Sequence, residues 1–94
     1  MSKYRQAAKI DENQPAIVKE LRSIGSSVSV NHDDILVGFR GRTWWIEIKT
    51  PDQKTKQGHW KSGALKDSQK ELLSNWKGQY NVCTTFEEIL EIIS

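Results

Sequence analysis

The hydrophobic residues of this chain recur with a helical period in some stretches and with the two-residue period of a strand in others. Residues 11–25 show the helical period and end on Gly25, so they predict a first amphipathic helix. Its apolar face carries Ile17, Val18, Leu21 and Ile24. Residues 26–30 alternate polar and apolar positions, and residues 34–39 and 43–49 are β-branched and aromatic runs, so the three segments predict strands.

The second and third predicted strands are joined by Arg-Gly-Arg at residues 40–42, which indicates a tight hairpin. Alternation divides the third strand into two faces. The face that we expect to pack against the helices carries Trp44, Ile46 and Ile48. The opposite face carries Trp45, Glu47 and Lys49. The hairpin therefore presents an acid and a lysine as neighbours on one face.

The second half of the chain predicts a long loop followed by two helices and one strand. Residues 51–66 have no apolar period and predict a long loop, which in a compact domain is usually functional or disordered. Residues 67–78, 80–84 and 85–93 predict a second helix, a fourth strand and a last helix. The apolar face of the second helix carries Leu72, Leu73 and Trp76. The expected helix caps are Asp11 or Asn13, Asp67 or Ser68, and Thr84 or Thr85 with Glu87 or Glu88. The order α-β-β-β-α-β-α predicts an α/β fold with a small mixed sheet flanked by helices.

Length and composition indicate one small domain, residues 1–94, in which residues 1–10 form a basic arm. A chain this short has a marginal core, which a dimer would relieve. No apolar run approaches ~18 residues, and no apolar stretch follows the N-terminus, so we expect neither a membrane span nor a secretory signal. The single cysteine, Cys83, is expected to act as a small hydrophobic residue in a reducing cytoplasm.

Positive charge is concentrated in the middle of the chain. The net charge is only +2, but residues 40–70 hold eight basic and three acidic residues. A basic segment in a nearly neutral protein indicates a side that faces a polyanion. A solvated, lysine-rich loop would have the same composition, and charge alone leaves both interpretations open.

Two carboxylates on neighbouring strands suggest metal chemistry. Asp34 opens the second strand and Glu47 lies near the end of the third, where the Ile48 carbonyl can point at the same ion. Oxygen donors of this kind suit Mg²⁺, which keeps several of its waters. Lys49 lies roughly 6.5–7 Å from Glu47 along the same strand face and can contact a phosphate or an attacking water. The alternative is an ordinary exposed ion pair between Glu47 and Lys49, which contributes little.

The pattern resembles the PD-(D/E)XK nuclease superfamily, and within it the VRR-NUC (virus-type replication-repair nuclease) family, over about residues 11–92. The matching segments are DENQPAIVKELRSIG, DDILVGFRGRTWWIEIK, LKDSQKELLSNWKGQ and YNVCTTFEEILEII. The resemblance implies a restriction-endonuclease-like core and DNA cleavage dependent on Mg²⁺ or Mn²⁺. For small stand-alone members it implies a homodimer that acts on branched DNA such as four-way (Holliday) junctions, in a bacterial or phage-infected cytoplasm.

The resemblance also assigns roles to residues. Asp34, Glu47 and Lys49 occupy the three motif positions. The acid at the start of the first helix matches Asp11, or Glu12 beside it, and Gln14 and Gln69 match glutamines near the site. Asp11 could instead be a helix cap and Gln69 an ordinary surface residue.

The chain departs from the family pattern in two places. Asp33 stands where the motif has proline, so both Asp33 and Asp34 are candidate ligands, although alternation favours Asp34. The tail lacks the family's basic residues, since Cys83 and Thr84 follow Val82.

Nucleic-acid contacts are expected from the basic segment. The candidate residues are Arg40, Arg42, Lys54, Lys56 and Lys61 for the phosphate backbone and Trp60 for a base. Trp44 and Trp76 are expected in the core, and Trp45 at the site or a dimer surface. The predicted function is structure-selective, Mg²⁺-dependent DNA cleavage. The alternatives are a non-catalytic protein that binds nucleic acid or a partner, and RNA as the substrate.

Overall fold

A four-stranded mixed sheet with helices on both faces forms the centre of the molecule. The computed structural model describes residues 11–31 and 34–94, so the predicted arm at 1–10, the loop residue His32 and the candidate ligand Asp33 lie outside the described residues. The elements are α1 (Gln14–Ser23), β1 (Ser27–Asn31), β2 (Asp34–Phe39), β3 (Arg42–Ile48), a short 3₁₀ helix (Pro51–Gln53), α2 (Asp67–Asn75), β4 (Tyr80–Cys83) and α3 (Phe86–Ile93).

The strands lie in the order β1-β2-β3-β4. The β1–β2 and β2–β3 pairs are antiparallel, whereas β3 and β4 are parallel. A parallel pair needs a long crossover, and residues 49–79, including α2, supply it. The prediction of an α/β fold with a small mixed sheet flanked by helices is confirmed. Among the described helices, none is long and apolar enough to cross a bilayer.

One face of the sheet packs against α1 and α3 and forms the core. The buried residues of this cluster are Ile17, Val18, Leu21, Ile35, Val37, Trp44, Ile46, Ile48, Cys83, Ile89 and Ile93. The predicted alternation of β3 is confirmed, because Trp44, Ile46 and Ile48 all point into this core. Burial raises the pKa of the Cys83 thiol to about 12, as expected of a cysteine that serves as a hydrophobic residue.

The β2–β3 hairpin turn is shorter than the predicted Arg-Gly-Arg connection. β2 ends at Phe39 and β3 begins at Arg42, so only two residues lie between the strands. Both adopt left-handed backbone conformations, with φ of 54° at Arg40 and 80° at Gly41. Two consecutive residues with positive φ match the right-handed twist of the flanking strands, and glycine meets that requirement without strain.

The second helix differs from its prediction at both ends. It begins after Lys66, whose backbone N–H donates to the Gln69 side-chain oxygen over 2.9 Å, so neither Asp67 nor Ser68 is the cap. It ends at Asn75, and Trp76 leaves it with extended backbone angles. Trp76 is 51% exposed, so its predicted place in the core is wrong. At α3 the expected cap is confirmed, since the Thr85 hydroxyl accepts from the Glu88 N–H.

The long loop has local order near α3. The backbones of Lys54 and Trp60 pair in an isolated antiparallel β-bridge, and the Lys54 ammonium lies 4.8 Å from the Trp60 ring centroid. The same ammonium forms an ion pair with Glu88, 3.0 Å between Nζ and Oε2. Glu88 also accepts from the Thr84 backbone N–H over 2.6 Å. These contacts attach the loop to the start of α3.

The Glu88 contacts predict how stability depends on pH. Burial raises the pKa of Glu88, but hydrogen bonds from Thr84 and Lys54 outweigh it and lower this pKa below its ordinary value of 4.5. A carboxyl with a lowered pKa stabilises the fold above its unfolded pKa, and that contribution disappears as the pH falls through the folded value. Glu88→Gln should therefore lower the free energy of unfolding by about 1 kcal/mol at pH 7, after discounting for partial exposure.

Urea unfolding at several pH values checks this expectation. The difference between wild type and Glu88→Gln should shrink as the pH falls below 4.5, the ordinary value for this group. Glu87→Gln, an exposed neighbour on α3, is the matched control and should show little difference at any pH. A Glu88→Gln difference that is independent of pH would contradict the ion-pair explanation.

Candidate active site

Asp34 and Glu47 lie directly opposite each other at one end of the β2–β3 hairpin. The backbone N–H groups of Trp45 and Lys49 donate across to Gln79 and Cys83, on the β4 side. Because backbone direction alternates along a strand, Glu47 between them also faces β4. Its pairing with Asp34 is therefore of the non-hydrogen-bonded type, in which opposite Cα atoms lie about 4.5 Å apart and side chains are closest.

This acid pair lies on the sheet face opposite the core. Glu47 is only 5% exposed, and Asp34 is half-buried. Like charges directly opposite each other on a sheet destabilise it. A buried carboxylate beside a second carboxylate is therefore an arrangement that a bound cation would stabilise.

Trp45 fixes the orientation of Asp34. Its indole Nε1–H donates to Oδ2 of Asp34 over 2.8 Å. The indole is itself held between two aromatic rings in edge-to-face contacts, with centroids 5.1 Å away at Trp76 and 4.9 Å at Tyr80. Sequence alternation placed Trp45 on the Glu47 face, and the structure brings it into contact with the other acid.

Asn13 holds the ends of β3 and β4 together. Its side-chain Nδ2 donates to the backbone oxygens of Lys49 (3.0 Å) and Thr84 (2.8 Å). It occupies the N-cap position of α1, as considered from the sequence, but its side chain makes no capping hydrogen bond there. Because the Lys49 N–H also donates to Cys83, the Lys49 backbone is held on both sides, two residues after Glu47 on the same face. No local sequence signal distinguishes this role of Asn13 from a helix cap.

The Ile48 carbonyl points away from β4. Its neighbours Glu47 and Lys49 face β4, so alternation directs the Ile48 oxygen towards the β2 side, at the level where β2 begins with Asp34. The structure therefore brings Asp34, Glu47, Ile48 and Lys49 together at one end of the sheet.

The candidate site residues on the helices occupy different positions. The start of α1 is attached there through Asn13, and the Asp11 carbonyl accepts the Gln14 N–H over 2.9 Å. Gln14 is buried and lines a groove between α1 and the edge strand β1. Gln69, in the first turn of α2, is 6% exposed, so it is not the surface residue considered as an alternative.

The basic residues divide into separate groups. Arg40 and Arg42 lie at the hairpin turn, roughly 20 Å along the strands from the acid pair. Lys56 and Lys61 are exposed in the loop that follows β3. Lys54 is engaged with Glu88 and Trp60, which gives it a structural role. A polyanion that contacted both Arg40 and the acid pair would extend along the whole hairpin.

The residues present fit a hard divalent cation. Within residues 11–31 and 34–94, no three His, Cys, Asp or Glu side chains form a metal cluster. Mg²⁺ does not require one, because it is usually bound by one or two carboxylates together with water and substrate phosphate. Two carboxylates and one carbonyl, all oxygen donors, meet that requirement.

Comparisons with known proteins identify no relative of this chain. A scan against protein-family models finds no match, and searches of curated proteins and of solved structures find no significant match.

The Trp45–Asp34 hydrogen bond predicts a change in metal requirement. Trp45→Phe keeps an aromatic ring but removes the N–H donor to Asp34. Loss of such an outer contact typically costs about 10–100-fold in metal affinity, so the variant should bind Mn²⁺ that much more weakly than wild type. A Mn²⁺ titration followed by thermal unfolding, without nucleic acid, measures it. Trp60→Phe, the same change away from the acids, should leave the titration unaltered, and an unaltered titration for Trp45→Phe would contradict the proposed contact.

Proposed function

We propose that this protein is a divalent-metal-dependent endonuclease that hydrolyses phosphodiester bonds in DNA. The observation that carries the proposal is the cross-strand pair Asp34–Glu47, with Lys49 following on the same strand. A protein that only binds DNA gains nothing from two opposed carboxylates, because they repel phosphate in the absence of a cation.

Each residue has a distinct task in this proposal. Asp34, Glu47 and the Ile48 carbonyl would hold Mg²⁺ or Mn²⁺. When bound, the ion neutralises charge on the phosphate and lowers the pKa of water. Trp45 positions Asp34 through its indole N–H. Lys49 orients the attacking water or stabilises charge that develops on the phosphate, with its backbone held by Asn13 and Cys83.

From the sequence resemblance we also propose a PD-(D/E)XK nuclease of the VRR-NUC type. The small α/β fold with a four-stranded mixed sheet supports this proposal at the level of fold class. On the same resemblance we propose a homodimer that acts on branched DNA. We propose that the exposed Lys56 and Lys61, in the loop that follows β3, and Arg40 and Arg42, at the hairpin turn, contact the phosphate backbone.

A substrate panel tests the proposed function. Labelled duplex, splayed, flap and four-way-junction DNA, with matching RNA, are incubated with Mg²⁺, Mn²⁺ or EDTA. We expect cleavage of a branched DNA with either metal and none in EDTA. Tight binding without cleavage of any substrate would favour the non-catalytic alternative, and preferential cleavage of RNA would replace DNA as the substrate.

A further inference from the structure

A cleft of about 280 Å³ opens beside the acid pair on the same sheet face. Its floor and walls come from β1, β2, β3 and the end of α2. Its lining includes Ser29, Asn31, Asp34, Leu36, Trp45 and Trp76. In the sheet register, Ser29, Leu36 and Trp45 form one row across three strands. Asn31, Asp34 and Glu47 form the adjacent row, so the cleft adjoins the acid pair.

The cleft is apolar, exposed and rigidly built. Leu36 is 48% exposed and Trp76 is 51% exposed, which is unusual for large hydrophobic side chains. Trp76 is nevertheless fixed, because its ring contacts Trp45 edge-to-face. Its Nε1 also lies 3.0 Å from where a Cβ on Gly78 would be, so the indole packs directly on that glycine. A fixed, half-exposed indole is a ready surface for stacking.

The charge and polarity of the residues that line the cleft indicate what kind of ligand it could bind. Among the described residues that line the cleft, Asp34 carries the only charge, and that charge is negative. A phosphate inside the cleft would be repelled, whereas a neutral, flat, aromatic group would bury the apolar surface of Leu36 and Trp76. The exposed side chains of Ser29 and Asn31 supply hydrogen-bonding groups at the rim. These are the properties of a pocket for a nucleobase.

The cleft lies close to the acid pair at which the proposed reaction would take place. Leu36 and Asp34 lie two residues apart on one strand face, roughly 6.5–7 Å. A phosphate at the acid pair would therefore direct an attached base towards the Leu36–Trp76 surface. We infer that this cleft receives one unpaired nucleobase next to the scissile phosphate, so that the preferred substrate carries an unpaired nucleotide at the cut site. This inference rests on the proposed function.

The test removes the base and the stacking surface independently. Once the cut position on a branched DNA has been mapped, each nucleotide that flanks it is replaced in turn by an abasic residue, which keeps the phosphate. For wild type, one abasic position should lower kcat/KM by about 10–100-fold, the range expected for one stacked base. Trp76→Ala should lower kcat/KM on the intact substrate by a similar factor and be insensitive to that abasic position. Trp76→Phe should restore part of the preference.

Control variants separate the outcomes. Leu73→Ala removes another exposed hydrophobic side chain from α2, outside the cleft lining, and should behave as wild type. Equal cleavage of intact and abasic substrates by wild type, or an abasic penalty that persists in Trp76→Ala, would overturn the inference while leaving the nuclease intact. Conversion of a wild-type dimer to monomer by Trp76→Ala in sedimentation would also overturn it, because the cleft would then hold a second copy. Absence of cleavage by wild type on every substrate would be a failure of the proposed function itself.

Discussion

Glu47→Gln is expected to reduce metal-dependent DNA cleavage by about 10³-fold, because a metal ligand at the reacting phosphate contributes several kcal/mol of charge stabilisation. The fold should not suffer in parallel. Glutamine has the same shape as glutamate, and the substitution removes one of two like charges that face each other across β2 and β3. The metal-free variant should therefore fold and unfold in a single cooperative transition, as wild type does.

Thermal unfolding with and without metal separates this explanation from a general defect. A ligand that binds only the folded state raises its stability, so Mn²⁺ should raise the Tm of wild type but not of Glu47→Gln. Glu20→Gln, which makes the same change at an exposed position of α1, is the matched control and should retain both activity and the Mn²⁺ shift. Activity of Glu47→Gln close to that of wild type would refute the site assignment.

Lys49→Ala is expected to reduce kcat by about 10²–10³-fold, the usual cost of losing one group that stabilises developing charge. The substitution should lower kcat without weakening metal binding. The Lys49 backbone is held by Asn13 and Cys83 whatever side chain it carries, so the strand end should keep its conformation. The Mn²⁺-induced rise in Tm should remain, or increase because a neighbouring positive charge has been removed.

Lys61→Ala provides the comparison for a lysine that only contacts the backbone of DNA. Lys61 is exposed in the loop after β3. Its removal should weaken binding modestly on all substrates and lower the slope of log affinity against log salt by about 1. If Lys49→Ala and Lys61→Ala showed the same small loss in kcat, Lys49 would be one more phosphate contact and not part of the reacting site.

The hairpin could be predicted from sequence because its information is local. Period-two alternation from Asp34 to Lys49 fixes which side chains share a face, and a two-residue turn then fixes which residues are opposite. The pairing of Asp34 with Glu47 follows from those two facts. The predicted turn was one residue too long and would have placed Asp34 opposite Ile48, so the direct pairing of Asp34 with Glu47 comes from the structure.

The contacts between distant segments could not be predicted in this way. Asn13 binds carbonyls 36 and 71 residues away, and Lys54 forms an ion pair 34 residues away. Neither the capping pattern at Asn13 nor the positive charge of Lys54 indicates these contacts in the sequence. The parallel pairing of β3 with β4 could not be predicted either, because the alternation of polar and apolar residues is the same in parallel and antiparallel strands.

Trp76 was misplaced for a related reason. Its spacing from Leu72 and Leu73 fits one helix face, but α2 ends at Asn75, before the tryptophan. The helix ends three residues earlier than predicted, which moves the Trp76 side chain from the expected core position to the surface. The early end of α2 also leaves the Trp76 indole exposed in the cleft that Asp34 lines. The wrong prediction for Trp76 and the proposed base cleft therefore have the same structural cause.

An anomalous difference map from a crystal soaked in Mn²⁺ would show directly whether the acid pair binds a divalent cation. We predict a peak bordered by the carboxylates of Asp34 and Glu47 and the carbonyl of Ile48, with the peak absent from Glu47→Gln crystals treated in the same way. A wild-type map with no peak between the two carboxylates, from protein that cleaves DNA in the presence of Mn²⁺, would contradict it.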